Sequence, residues 1–168
     1  MRINRIVELI SKNGNVKRYH TDRVIHHETI AHHSWGVAMF CIALSKDKPS
    51  LNLLKAALYH DLAEHVTGDV PAPAKWENQC LKDELESIEL DFNDEHDTDP
   101  ELIPEEIFIL KVADMLQLMT YVQGEWKMGN RTLDHIFENG FKYLTNFDDL
   151  PLLAVNILET MRYERNTK

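Results

Sequence analysis

Apolar residues recur along most of this chain at intervals of three and four, the spacing of a helix with one buried face. They almost nowhere alternate singly with polar residues, as a half-buried strand requires. Ile3, Ile6, Val7 and Ile10 form a first stripe, which Asn13-Gly14 ends. His33–Ser45 is apolar enough to predict a central, largely buried helix, and Leu51–His65 predicts another, with Ser50 as its N-cap after Pro49. Thr67–Pro73 holds a glycine and two prolines and predicts a loop. From Ala74 to about Asn93, Leu81, Leu85, Ile88 and Phe92 fall at helical spacing among charges, which predicts an amphipathic helix with a solvated face. After a second break at Asp97–Pro104, the segment Pro104–Met128 predicts a long helix with a broad apolar face, opened by its proline. Thr132–Tyr143 and Leu150–Tyr163 complete the set. No repeat, low-complexity tract or linker interrupts the pattern. The expectation is an all-α fold, one helical bundle of about six or seven helices, with residues 1–168 as a single domain.

Composition narrows the function classes. The 168 residues are 43% hydrophobic and 27% charged, enough for one sizeable core and too apolar for a disordered chain. A formal charge of -10 disfavours nucleic acid and anionic membrane surfaces as partners, so a phosphate-bearing ligand needs a local basic pocket. The two cysteines, Cys41 and Cys80, cannot build a disulfide framework and fit a reducing compartment. Gly36–Leu44, the longest apolar run, is far short of the ~20 residues of a membrane helix. Met1–Asn13 is too polar for a secretory signal, and a cytoplasmic location is expected. Charge is uneven: six basic residues and two acidic ones lie in Met1–Ile25, and twelve acidic residues without Lys or Arg lie in Asp83–Glu106. The acidic run reads as a solvated helix face. Nine histidines are the compositional oddity.

Three apolar helical segments each carry histidine or aspartate. His60-Asp61 follows Leu53–Tyr59, Asp114 interrupts Ile109–Leu116, and His32-His33 opens the segment that continues as Val37–Phe40. A buried His–Asp pair is costly unless it is hydrogen-bonded or holds a cation. One such pair is an ordinary core feature, whereas His or Asp on three separate apolar helices points to a shared nitrogen and oxygen site for Mn, Co, Zn or Fe as the divalent ion. A metalloprotease helix is excluded by register, because His60, Glu64 and His65 match neither HExxH nor its inverted form. Glu64, four residues after His60, is placed to act on water or a leaving group without being a ligand. Lys111 precedes Asp114 by one turn, and Arg18 offers a planar guanidinium for phosphate. Tyr19, Trp35 and Trp76 are candidates for stacking on a base, each weighed against an ordinary place in the core.

His33, His60-Asp61 and Asp114, in that order, resemble the H…HD…D signature of the HD-domain phosphohydrolases. The resemblance extends to Lys17-Arg18-Tyr19, Ala31–Ser34, Tyr59–Glu64, Thr67–Lys75 and Lys111–Asp114, over roughly residues 1–128. These segments look like the bacterial 5'-deoxynucleotidases and equally like the small phage-encoded HD-domain deoxynucleoside triphosphohydrolases. The resemblance implies a single HD-domain bundle in which His33, rather than His32, joins His60, Asp61 and Asp114 around one divalent metal. It implies that Glu64 acts on the attacking water or leaving oxygen. Arg18 and Asp69 would position the 5'-phosphate and the water, and Lys75 and Lys111 would face the phosphate chain. Tyr19 stands where the deoxynucleotidases tend to carry Trp.

The implied reaction is attack of water on the phosphorus of a 2'-deoxynucleotide, freeing the deoxynucleoside, with the metal activating water or a phosphoryl oxygen. Arg18, Lys75, Lys111, Lys17 and Arg23 are more cations than one phosphate needs, which tips the expectation towards a deoxynucleoside triphosphate such as dATP, with Mg as a further ion. The alternative is a monophosphate substrate. A regulatory or purely structural HD module is the competing class, one that need not hold metal stoichiometrically. The phage-like length also admits a phage-encoded protein in a host cytoplasm. The apolar faces of Pro104–Met128 and Leu150–Tyr163 lead to the expectation of a homo-oligomer, a dimer or higher.

Overall fold

The computed structural model describes residue 7, residues 9–12 and residues 14–167. Their helices are α1 (Ile30–Leu44), α2 (Leu51–Tyr59), α3 (Glu64–Thr67), α4 (Ala72–Glu77), α5 (Gln79–His96), α6 (Pro104–Lys127), α7 (Asp134–Thr145) and α8 (Leu152–Thr167). Among the described residues there is no strand, only an isolated antiparallel bridge between Lys17 and Thr29. The all-α expectation is met, and the count exceeds six or seven because two short helices, α3 and α4, stand in and beside the expected loop.

Helix α6 is the axis of the fold. Pro104 occupies its first turn, where a missing N–H costs nothing, and Glu106 accepts a hydrogen bond from the Ile103 N–H at 3.1 Å. Glu105 and Glu106 at the start and Lys127 at the end complement the helix dipole. Its residues Val112, Leu116 and Met119 are fully buried against Val37 and Cys41 of α1, Leu53 of α2 and Phe137 of α7. Removing that apolar surface from water is the main stabilising term, about 1.5–3 kcal/mol for each large side chain. Ser50 caps α2 as expected, its hydroxyl accepting from the Leu53 N–H at 3.0 Å.

The segment expected as one helix over Leu51–His65 breaks after Tyr59. Leu62 N–H reaches Tyr59 O, Glu64 N–H reaches Asp61 O and Val66 N–H reaches Ala63 O, the i to i+3 pattern of a tightened turn. Nothing in the residue types signals this break. Gly68, at φ +73°, lets the chain leave α3 in a conformation that a side chain would strain. The expected loop is also shorter than Thr67–Pro73: Thr67 still belongs to α3, and α4 starts at Ala72 and tolerates Pro73 in its first turn. Asn78 then separates α4 from α5 and caps α5, accepting from Leu81 N–H at 3.1 Å.

The first apolar stripe is partly corrected. Ile3 and Ile6 lie outside the described residues, while Val7 and Ile10 are 60% and 71% exposed. Leu9 is the buried residue there, packed with Ala63 and Phe92 in a second small cluster. No helix among the described residues is long and apolar enough to cross a membrane.

Candidate metal centre

Three helical segments converge on one point. Helix α1 brings His33, which is fully buried; the turn after α2 brings His60 and Asp61; α6 brings Asp114. His33 Nε2 lies 3.1 Å from His60 Nε2, 3.1 Å from Asp114 Oδ1 and 3.4 Å from Asp61 Oδ2. His60 Nε2 is 3.4 Å from the same Asp61 oxygen.

The opposite ring nitrogens are committed elsewhere. His60 Nδ1–H donates to the Ala57 carbonyl at 3.1 Å, and His33 Nδ1–H donates to Gln117 Oε1. Both Nε2 atoms therefore present lone pairs to the same point, beside two carboxylate oxygens. The His33 and His60 nitrogens and the Asp61 oxygen lie close enough to repel one another unless a cation sits among them, while the Asp114 oxygen stands against His33 alone. Two donors bound to one ion at about 2.1 Å stand roughly 3.0–3.4 Å apart, so the observed separations suit a shared ion. His33, His60 and Asp61 form a group able to coordinate a metal, and the mixed nitrogen and oxygen set fits a divalent transition ion. Burial opposes charge on His33, but the neighbouring carboxylates of Asp114 and Asp61 raise its pKa. Burial would likewise raise Asp114, but His33 and His60 hold it below the usual carboxylate range.

Around this point lies a cleft of about 270 Å³ lined by His60, Asp61, Glu64, Lys75, Val70 and, from α5, Leu85, Ile88 and Glu89. Glu64 Oε2 is buried there without a hydrogen-bond partner. Burial, with the carboxylates of Asp61 and Asp69 close by, pushes the Glu64 carboxyl up to about 9. Burial and Asp61 also raise the Glu89 carboxyl, which Lys75 partly offsets.

Arg18 reaches the centre from the segment before α1. Its Nη1 donates to Asp61 Oδ2 at 2.9 Å, and its Nε stands 3.4 Å from Glu28 Oε2. The backbone N–H of Tyr19 donates to Asp69 Oδ2 at 3.2 Å, so Asp69 ties this segment to the loop after α3. The Tyr19 ring is stacked on Tyr121, and its hydroxyl is buried without a partner. Burial raises the Tyr19 phenol well above its ordinary value. Lys111, one turn before Asp114 on α6, is exposed and makes no ion pair among the described residues. Trp35 is 65% exposed on α1, and the Trp76 side chain lies outside the described residues.

Residues that pattern reading overlooks complete the arrangement. Glu28 and Gln117 are buried behind His33 and Arg18. Glu125, 1% exposed, accepts from the Ile25 and His26 N–H groups at 2.7 and 2.8 Å and so fastens the 18–29 segment to α6. A polar residue one turn after Asp114 in an apolar helix is the signal that could have found Gln117. Glu28 and Glu125 carry no such signal.

The model of the 5'-deoxynucleotidase YfbR-like family matches residues 5–98, more than half of the chain. The chain belongs to this family. Relatives within reach include the 5'-deoxynucleotidases YfbR of Salmonella paratyphi B and Salmonella newport, each 34% identical over 88 residues. That match spans 48% of this chain and 44% of each relative, so the relatives are matched over less than half their length. Likeness of fold to solved structures extends further along the chain than that identity does. An HD-domain phosphohydrolase from Listeria innocua superposes with a TM-score of 0.75 at 17% identity, over 98% of this chain and 87% of that one. A protein from Pyrococcus horikoshii gives 0.75 at 24% identity, over 95% and 98%. A cyanophage S-2L HD phosphohydrolase bound to dA and one catalytic Zn²⁺ gives 0.62 at 20%, over 94% and 92%.

Proposed function

We propose that this chain is a metal-dependent phosphohydrolase that cleaves the 5'-phosphoester of 2'-deoxynucleoside monophosphates. One observation carries the reading: two bare imidazole nitrogens and the Asp61 carboxylate converge, with Asp114 against His33, beside a cleft that holds an unpartnered buried carboxyl, Glu64. His33, His60, Asp61 and Asp114 would hold the ion, which when bound supplies Lewis acidity towards water and a phosphoryl oxygen. Arg18 and Lys75 offset the phosphate charge, and Asp69 holds the backbone that presents Arg18. Glu64 is placed for proton transfer at the attacking water or the leaving 5' oxygen. Val70, Leu85 and Ile88 supply the apolar wall against which a nucleoside packs.

Family membership supports a monophosphate, since the matching relatives are 5'-deoxynucleotidases. The cyanophage protein's dA and Zn²⁺ support a deoxynucleoside and a transition ion. The expectation of a triphosphate rests on the phage-like length and on five cations, of which Lys17, Arg23 and Lys111 are exposed. Arg18 and Lys75 suffice for one phosphate. The test is a panel of deoxy- and ribonucleoside mono-, di- and triphosphates with Mn, Co, Zn, Fe or Mg, products resolved by chromatography. Orthophosphate and deoxynucleoside from monophosphates is the expected outcome, and triphosphate release would replace this reading with the other. A homo-oligomer is part of the proposal, supported by exposed Leu152, Leu153 and Tyr163 on α8, and light scattering that finds only a 19.6 kDa species removes it.

A further inference from the structure

Five side chains form a closed circuit through the interior. His33 Nδ1–H donates to Gln117 Oε1, and Gln117 Nε2–H donates to Glu28 Oε1 at 2.5 Å. Glu28 Oε2 faces Arg18 Nε at 3.4 Å, an ion pair rather than a hydrogen bond. Arg18 Nη1 donates to Asp61 Oδ2, which returns to His33 Nε2. The circuit has a direction. An ionised Glu28, facing the Arg18 guanidinium, can only accept. The Gln117 amide must therefore turn its NH₂ towards Glu28 and its oxygen towards His33. His33 must then carry its proton on Nδ1, leaving Nε2 bare.

Resting on the proposed metal-dependent reading, we infer that Gln117 is a positioning residue that transmits the orientation of Arg18, through Glu28, to the metal-facing nitrogen of His33. The fold makes room for it. A Cβ on Gly36 of α1 would lie 2.7 Å from Gln117 Cγ, so the absence of a side chain at Gly36 lets the amide sit between α1 and α6. One residue thus serves both the metal and the anion side of the centre. Neither the Arg18–Asp61 pair nor the His33–Asp114 pair does that alone.

The polarity of the circuit gives a test by exchange. Gln117→Glu sets two carboxylates against each other, and Glu28→Gln leaves the residue-28 amide one acceptor short between two donors. Glu28→Gln with Gln117→Glu restores a donor-to-acceptor match at each link from His33 through to Arg18, at unchanged net charge. Cobalt(II) affinity, read from the visible absorption of the bound ion, should fall by roughly 10–100-fold in each single variant. Inorganic phosphate binding to the cobalt-loaded protein, by calorimetry, should weaken in parallel, and the double variant should recover most of both. Folded single variants that bind cobalt like the wild type overturn the inference, as does a folded double variant that recovers nothing. A ¹⁵N NMR spectrum of the wild-type His33 ring at alkaline pH needs neither metal, turnover nor a folded variant. A proton on Nδ1 is expected, and one on Nε2 overturns the inference. A protein that passes these tests yet cleaves no nucleotide separates failure of the proposed reaction from failure of this inference.

Discussion

Tyr19 lies against Tyr121 with ring centroids 4.7 Å apart and planes 14° from parallel. One face of the Tyr19 ring is thereby taken up by the protein's own α6, and the Tyr121 hydroxyl donates to His26 O at 2.6 Å. The pair braces the segment that carries Arg18. Tyr121→Phe should cost about 1 kcal/mol, the worth of one hydrogen bond, and Tyr121→Ala about 2–4 kcal/mol with the stack lost as well. Urea denaturation measures both, and equal costs for the two variants would show that the stack contributes nothing.

Metal should stabilise the native state. An ion that binds the folded chain alone adds about 2.7 kcal/mol at a hundred times its Kd. Thermal melts with Mn, Co or Zn should rise for the wild type and stay flat for Asp114→Asn and Asp61→Ala. A wild-type Tm unmoved by every ion contradicts a metal site.

Glu64→Gln should keep the metal and lower kcat by roughly 10²-fold or more, as expected for a proton-transfer group that is not a ligand. Elemental analysis beside steady-state kinetics decides the matter. Metal lost along with activity would make Glu64 a ligand instead.

Burial would raise the Glu125 carboxyl, but hydrogen bonds from Ile25 N–H, Asn130 and His26 N–H hold it below the usual glutamate value of 4.5. A carboxyl with a lowered folded pKa contributes stability that is complete above the unfolded value and lost as pH falls through the folded one. The Tm gap between wild type and Glu125→Gln, about 2 kcal/mol of stability near neutral pH, should therefore narrow on acidification below 4.5. A gap that is constant down to pH 3 refutes the assignment.

Gly36→Ala forces its methyl onto Gln117 Cγ. Overpacking of this kind costs about 1–3 kcal/mol. Because the displaced atom belongs to the side chain behind His33, cobalt affinity should fall along with the denaturation midpoint. An unchanged affinity at reduced stability would show that the amide can shift without disturbing the ring.

The centre was legible in the sequence where polarity contradicts its surroundings. His60-Asp61 and Asp114 interrupt apolar helical runs, and such interruptions are visible without a structure. The break of the helix at His60 was not, because no glycine or proline marks it; the chain tightens while its backbone stays right-handed at His60, with φ -54°. Glu28 and Glu125 look like ordinary surface acids in their own neighbourhoods. Their burial is created by pairing with Arg18 and with the backbone of Ile25 and His26, partners that local pattern cannot supply.

The circuit behind His33 also fixes an order of events during synthesis. Arg18 meets Asp61 across 43 residues, His33 meets Gln117 across 84, and Ile25 meets Glu125 across 100. Closing such long loops costs entropy before any contact repays it. A nascent chain that has delivered only α1 and α2 from the ribosome therefore lacks Gln117 and Asp114, the α6 residues that meet the two nitrogens of the His33 ring. Emergence of α6 is the event that withdraws Glu28 from solvent, sets the His33 ring and fastens the Arg18 segment, so the capacity to capture an ion arrives late and all at once.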